Sequence, residues 1–153
     1  MGQHSRGSRT RVALVAAVLA GPAAAGTAWA EAPALVPGTP CSVLARACVE
    51  LPTKRAWLID DGRIVRGPVP VSIGGRGAET PTGDFRVEWK HADHRSAEFK
   101  NAAMPFSVFF AQGGIAFHEG NLATDSAGCV RLDRTEAQAF FHFLQVDDPV
   151  QVR

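Results

Sequence analysis

The sequence predicts a single, mainly β domain: a β-sandwich or closed sheet with one packing α-helix. Short apolar segments recur between turn-forming residues, and only one later stretch has a helical period. No internal repeat divides the chain. Ala56–Ile59 and Ile64–Val65 flank Asp60-Asp61-Gly62-Arg63, so they are read as a hairpin turning at Asp-Gly. Val69–Ile73 and Phe85–Trp89 are further short strands on either side of Gly74-Gly75-Arg76-Gly77. That glycine run lacks GxGxxG spacing and a P-loop lysine, and it precedes no helix start, so it is read as a tight turn. Phe106–Phe110 and Ile115–His118 pair around Gln112-Gly113-Gly114. The one helix begins at Asp133, with Glu136 completing an Asp-x-x-Glu box, and Ala137, Phe140, Phe141 and Leu144 form its apolar stripe. Pro149–Val152 closes the sheet as a last strand.

The chain has 153 residues, room for one domain. Its first thirty residues have the parts of a secretory signal. Arg6, Arg9 and Arg11 are basic, Val12–Leu19 is apolar, and Ala28-Trp29-Ala30 offers a cleavage site after Ala30. Gly21 and Pro22 stop the apolar run well short of the ~20 residues a membrane span needs, so no stable anchor is expected after cleavage. Cleavage removes three arginines and no acidic residue, taking the formal charge from +1 to −2. No basic cluster remains, which argues against nucleic acid as a partner. Glu31–Pro40 is rich in Ala and Pro and is read as a flexible leader.

An exported chain sits in an oxidising setting. Cys41 and Cys48 are the expected disulfide pair, the alternative being two unpaired buried thiols. Cys129 is then left free. It stands in Ser126-Ala127-Gly128-Cys129-Val130-Arg131-Leu132, eleven residues after His118. A thiolate attacks carbonyls, and a free cysteine with pKa of roughly 8.5 needs a neighbouring base or cation to supply one near neutral pH. His118 is the candidate base. Gly128 lets backbone approach a substrate, and the N–H groups of Gly128 and Cys129 are the candidate oxyanion hole. Arg131 lies two residues beyond the sulfur, on the same side of an extended stretch, where it could bind a carboxylate.

These residues resemble the signature of the L,D-transpeptidase catalytic domain family (YkuD-type), which acts on bacterial peptidoglycan. The matching pieces are Gly114-Ile115-Ala116-Phe117-His118, the Ser126–Leu132 run, Thr80-Pro81-Thr82-Gly83-Asp84-Phe85 and Met104-Pro105-Phe106. Two departures stand out: Ala127 occupies the place of the family's usual histidine, and the loop from His118 to Cys129 is short. The Ala/Pro-rich leader is taken to run over 31–47, and the resemblance implies a catalytic domain over 48–153. It also implies an exported, extracytoplasmic enzyme in which Cys129 attacks the stem peptide, D-alanine leaves, and an amine resolves the thioester into a 3→3 cross-link. His118 would take the thiol proton. Glu119 would orient it, through its backbone carbonyl in preference to its side chain. Arg131, Ser126 and Met104 would contact the substrate, with Ser126 also bonded inside its own loop.

The resembling chemistry calls for no metal or other cofactor. His91-Ala92-Asp93-His94 has a metal-like spacing, but no second pair completes a zinc set, and it is read as a polar loop between strands. His142 is read as a helix-end imidazole without a catalytic role. Two other outcomes share the same residues. Water in place of the amine would make the protein an L,D-carboxypeptidase, and a lapsed site would leave a wall-binding module.

Overall fold

The computed structural model describes residues 1–2, 31–97 and 100–153. Most of the expected secretory signal therefore lies outside the described residues. The folded unit spans Ala32–Arg153. It is mainly β, and its described residues form two sheets and one helix, as the sequence pattern predicts.

The first sheet is built from β1 (Ala47–Glu50), β2 (Arg55–Asp60), β3 (Arg63–Pro70), β4 (Gly83–Arg86) and β9 (Pro149–Val152), in the order β3-β2-β1-β9-β4. The hairpin β2–β3 turns at Asp61 and Gly62, both with positive φ (47° and 70°), the backbone that an Asp-Gly pair accommodates. β9 returns between β1 and β4, parallel to β1 and antiparallel to β4. The second sheet holds β5 (Trp89–Arg95), β6 (Ala103–Ala111), β7 (Ile115–Glu119) and β8 (Val130–Leu132), in that order.

The stretch expected as one strand over 85–89 changes sheets instead. Val87 N–H donates to Asp148 O at 2.9 Å on the first-sheet side, and Glu88 N–H to Phe109 O at 2.8 Å on the second. His91–His94, read from its polarity as a loop, lies within β5. Its pairs run His91 to Ser107 and His94 to Met104. As the sheet edge, β5 tolerates such polar side chains because one flank is exposed to solvent.

Helix α1 (Arg134–Phe143) packs on β6, β7 and β8. Asp133 caps it by accepting the Glu136 N–H at 2.8 Å, while the Glu136 carboxylate pairs with Arg66 instead of returning to the cap. Ala137, Phe140 and Leu144 are fully buried. Phe140 packs against Phe117, and Phe117 against Phe110, as tilted ring pairs with centroids 5.2 and 4.8 Å apart. These rings join the helix to the inner face of the second sheet, and Val49, Leu58, Val150 and Val152 cover them from the first. Fully burying each such side chain contributes about 1.5–3 kcal/mol, which fixes the second sheet against the core. Its outer face remains for the site.

The segment read as a flexible leader is folded from Leu35 onward. Leu35 bridges to Ser42, and Val36, 1% exposed, packs with Cys41, Ala45, Cys48, Trp57 and Ile59. Cys41 and Cys48 are joined by a disulfide. Composition alone missed this because one valine and one covalent link are enough to seat a short Pro-rich stretch.

Candidate active site

The outer face of the second sheet follows from strand alternation. Phe117 of β7 turns inward, so its neighbours Ala116 and His118 are left to the outer side. β8 runs parallel to β7 with Phe117 opposite Val130 and His118 opposite Arg131. Val130 and Leu132 go to the core, so Cys129 and Arg131 share the outer side with His118. Cys129 packs against Met104, Phe109 and Ala116.

Met104 and Phe109 are five residues apart on one strand and would ordinarily face opposite sides. They share a face because Phe106 has φ 57°, a left-handed conformation that non-glycine residues rarely hold. The reversal turns Phe106 inward, against Phe141 of α1, and turns Met104 outward beside the thiol. This device was invisible in the sequence, although Met104-Pro105-Phe106 marked the place.

Cys129 and His118 line one cavity of about 570 Å³, together with Met104, Phe109, Trp89 and His94. A second cavity of about 500 Å³, near Phe85 and Phe110, contains neither cysteine nor histidine. The Cys129 thiol is free and donates a weak bond to Gly114 O at 3.5 Å. His118 is 7% exposed, and its Nδ1 lies 2.7 Å from the Glu119 carbonyl oxygen. A carbonyl only accepts, so Nδ1 holds the proton and the lone pair of a neutral ring is on Nε2. The Glu119 carboxylate is not part of this bond; it pairs with Arg134 at 3.1 Å.

Burial sets the resting charge of both groups. It pushes the His118 imidazole below its ordinary range, aided by the charges of Arg131 and His94 and opposed by the Glu119 carbonyl. Burial likewise pushes the Cys129 thiol up, opposed by a bond to the Ala116 backbone and by Arg131. Both shifts favour the uncharged forms, thiol and imidazole, near neutral pH.

The loop that presents the thiol is tightly bonded. Ser126 Oγ donates to Cys129 O at 2.6 Å and accepts from Gly128 N–H at 3.1 Å. Ser126 is thus engaged inside its loop, which leaves little of its hydroxyl for substrate. The same bond occupies the Gly128 N–H that was expected in an oxyanion hole, so Cys129 N–H is the member of that pair not engaged by Ser126. Thr80, whose part was not foreseen, donates to Gly128 O at 2.8 Å and accepts from Gly74 N–H at 2.9 Å. Gly128 has φ 116°, a backbone that L side chains rarely adopt, so the conformation favours glycine there; a Cβ would also press on the movable end of Ile115, 2.6 Å away.

Arg131 shares the thiol's face, but its terminal nitrogens turn to the preceding loop. Nη1 donates to Asn121 O, Thr124 O and Thr124 Oγ1 at 3.1–3.2 Å, and Nη2 to Asp125 O at 3.1 Å. Ser72 Oγ adds a bond to Thr124 O at 2.6 Å. The guanidinium is a loop clamp. Its sequence spacing gave the correct face but not the carbonyls that fill its fork. Among the described residues, no three His, Cys, Asp or Glu side chains converge as a metal site requires.

With this arrangement established, the family comparison is decisive: the sequence model of the L,D-transpeptidase catalytic domain matches residues 45–152. The chain belongs to the L,D-transpeptidase catalytic domain family. Solved structures agree in fold. An L,D-transpeptidase from Stackebrandtia nassauensis is 26% identical, with a TM-score of 0.65 over 70% of this chain and 54% of that one. An L,D-transpeptidase from Mycobacterium smegmatis is 19% identical, with a TM-score of 0.65 over 73% of this chain and 59% of that one. L,D-transpeptidase 3 from Mycobacterium tuberculosis, in complex with a faropenem-derived adduct, is 17% identical, with a TM-score of 0.65 over 73% and 61%. This L,D-transpeptidase domain thus spans between a half and two thirds of those chains. A search of curated proteins gives no match.

Proposed function

We propose that this chain is an exported cysteine L,D-transpeptidase of the bacterial cell envelope, forming 3→3 cross-links between peptidoglycan stem peptides. The observation that carries this reading is a free thiol sharing one cavity with an imidazole whose Nδ1 is fixed by a backbone carbonyl. Nε2 of His118 takes the Cys129 proton as sulfur attacks the donor carbonyl. A neutral resting pair means that the thiolate forms during attack and is not stored beforehand. The oxyanion is held by Cys129 N–H, the departing D-alanine leaves with the proton from His118, and a thioester remains. An amine from a second stem then displaces sulfur.

Met104 forms part of the apolar floor, and Ser126, Thr80 and Arg131 hold the loops that position the thiol. Export is supported by the signal-like first thirty residues and by a substrate that lies outside the membrane. The faropenem-derived adduct on the M. tuberculosis relative makes β-lactams the electrophile class expected to acylate Cys129. The test is a muropeptide digest of peptidoglycan treated with purified mature protein. Cross-linked dimers support transfer, whereas shortened tripeptides without dimers would mean hydrolysis of the same thioester.

A further inference from the structure

We infer that His94 is a second base of this site, taking the surplus proton from an alkylammonium acceptor before that acceptor attacks the acyl-enzyme. The inference rests on the transpeptidase reading and names the acceptor class, a primary alkyl amine. Such an amine has an ordinary pKa of roughly 10.4, so it arrives protonated and without a lone pair. It loses one proton to become a nucleophile and a second on forming the amide. In the resolving step the carbon–nitrogen bond forms and the carbon–sulfur bond breaks. The second proton passes through His118 to the departing thiolate. The first proton needs another acceptor. His118 has only Nε2 to offer, because Nδ1 is held by the Glu119 carbonyl.

His94 is placed for that task. It reaches the cavity from β5, across β6 from the strand carrying His118, and its backbone partner is Met104 beneath the thiol. The reversal at Phe106 brings Met104, and with it His94, to the same face as Phe109 and Trp89. The His94 ring meets Trp89 and Phe109 edge-on, with centroids 5.4 and 5.0 Å away. These rings fix its plane. Among the described residues, neither of its nitrogens has a hydrogen-bond partner, so both are available to a molecule in the cavity. A charge on His94 is also felt by His118, which places the two imidazoles within electrostatic reach.

The titratable and charged groups around His94 are His91 on its own strand, Arg95, Arg131 and the Cys129 thiol on the cavity wall, and His118 and Glu119 of β7. Glu119 is the one carboxylate among the described lining residues, and Arg134 already pairs with it. A proton taken by His94 is therefore not trapped by an acid. The half-exposed ring passes it to solvent. Trp89, Phe109 and Met104 add an apolar wall, which disfavours the charged form of the amine.

The experiment compares two acceptors on the mature protein acylated by a tetrapeptide donor at neutral pH. One is a lysine-type amine, which arrives as ammonium; the other is hydroxylamine, which arrives neutral. In His94→Gln and His94→Asn, acyl-enzyme formation should stay within about twofold of the parent, and so should release by hydroxylamine. Release by the lysine-type amine should fall about a hundredfold, in the range of a lost general base. The deficit should close as pH rises and more of that amine arrives neutral. Equal losses with both acceptors, a loss in acylation, or no loss at all would overturn the assignment. If the parent forms no acyl-enzyme, the transpeptidase reading itself fails; with acylation intact, only the role of His94 is at stake.

Discussion

His118 Nδ1 lies 2.7 Å from the carbonyl oxygen of Glu119, the residue that follows it, while the Glu119 carboxylate turns away to Arg134. The imidazole is thus oriented by main chain, not by a side-chain acid. Glu119→Gln should leave turnover within about twofold, because the carbonyl survives and an ion pair whose Arg134 end is solvent-exposed contributes only about 0–1 kcal/mol. His118→Gln should lower acylation by at least about a hundredfold. Steady-state rates on both variants check this; a large loss in Glu119→Gln would return the orienting role to the carboxylate.

The two shifted groups define a pH dependence. With His118 held below its ordinary range, acylation should persist at pH values under about 6.5 and be lost only as the lowered folded value is crossed. The stability sign follows the same shift. Protons are taken up by the unfolded imidazole first, so folding stability falls as pH drops from about 6.5 toward the folded value and then levels. For Cys129, raised by burial, the unfolded thiol ionises first, so stability falls as pH rises past about 8.5. Denaturant titrations across pH on the parent, His118→Gln and Cys129→Ala should show each slope vanish with its own residue.

Arg131 makes a fork to four acceptors in the 121–125 loop, and lysine offers only a point charge. Arg131→Lys should cost about 1–3 kcal/mol and lower Tm by several degrees. Amide exchange in residues 121–125 should quicken. Acylation should fall as the thiol loop loosens, while alkylation by small reagents is retained. A variant with unchanged Tm but weakened peptide binding would instead favour direct capture of a substrate carboxylate.

The Cys41–Cys48 bond closes a short loop, with sequence separation 7. Replacing both cysteines by serine should lower stability by about 2 kcal/mol, the entropic value for so small a loop. Exchange should quicken at Val36 and Ala45, which share its cluster with Trp57. No change in unfolding free energy would show that apolar packing alone seats this segment.

What was legible in the sequence is what local chemistry decides. Asp61-Gly62 named its turn, Asp133 its cap, and the Phe117/His118 alternation placed the imidazole on one face. What stayed hidden depends on distant partners. His91–His94 looked like a loop because an edge strand needs no apolar stripe. Val87 and Glu88 gave no sign that the chain changes sheets between them, since both hydrogen bonds are long-range. Arg131 showed its face but not the loop carbonyls it bonds, because carbonyls of an irregular loop carry no sequence signal. Phe106 reversed the face of β6 by one backbone angle, which composition does not report.

The central claim is that Cys129 sulfur, served by His118, carries the acyl group. Intact-mass spectrometry of the mature protein, incubated with a tetrapeptide donor and no acceptor, tests it most directly. The parent should gain the mass of the donor less D-alanine, and peptide mapping should put it on Cys129. Cys129→Ala should gain nothing, while His118→Gln should gain the same mass far more slowly. An adduct of that mass on Cys129→Ala, or on any residue other than Cys129 in the parent, would contradict the assignment.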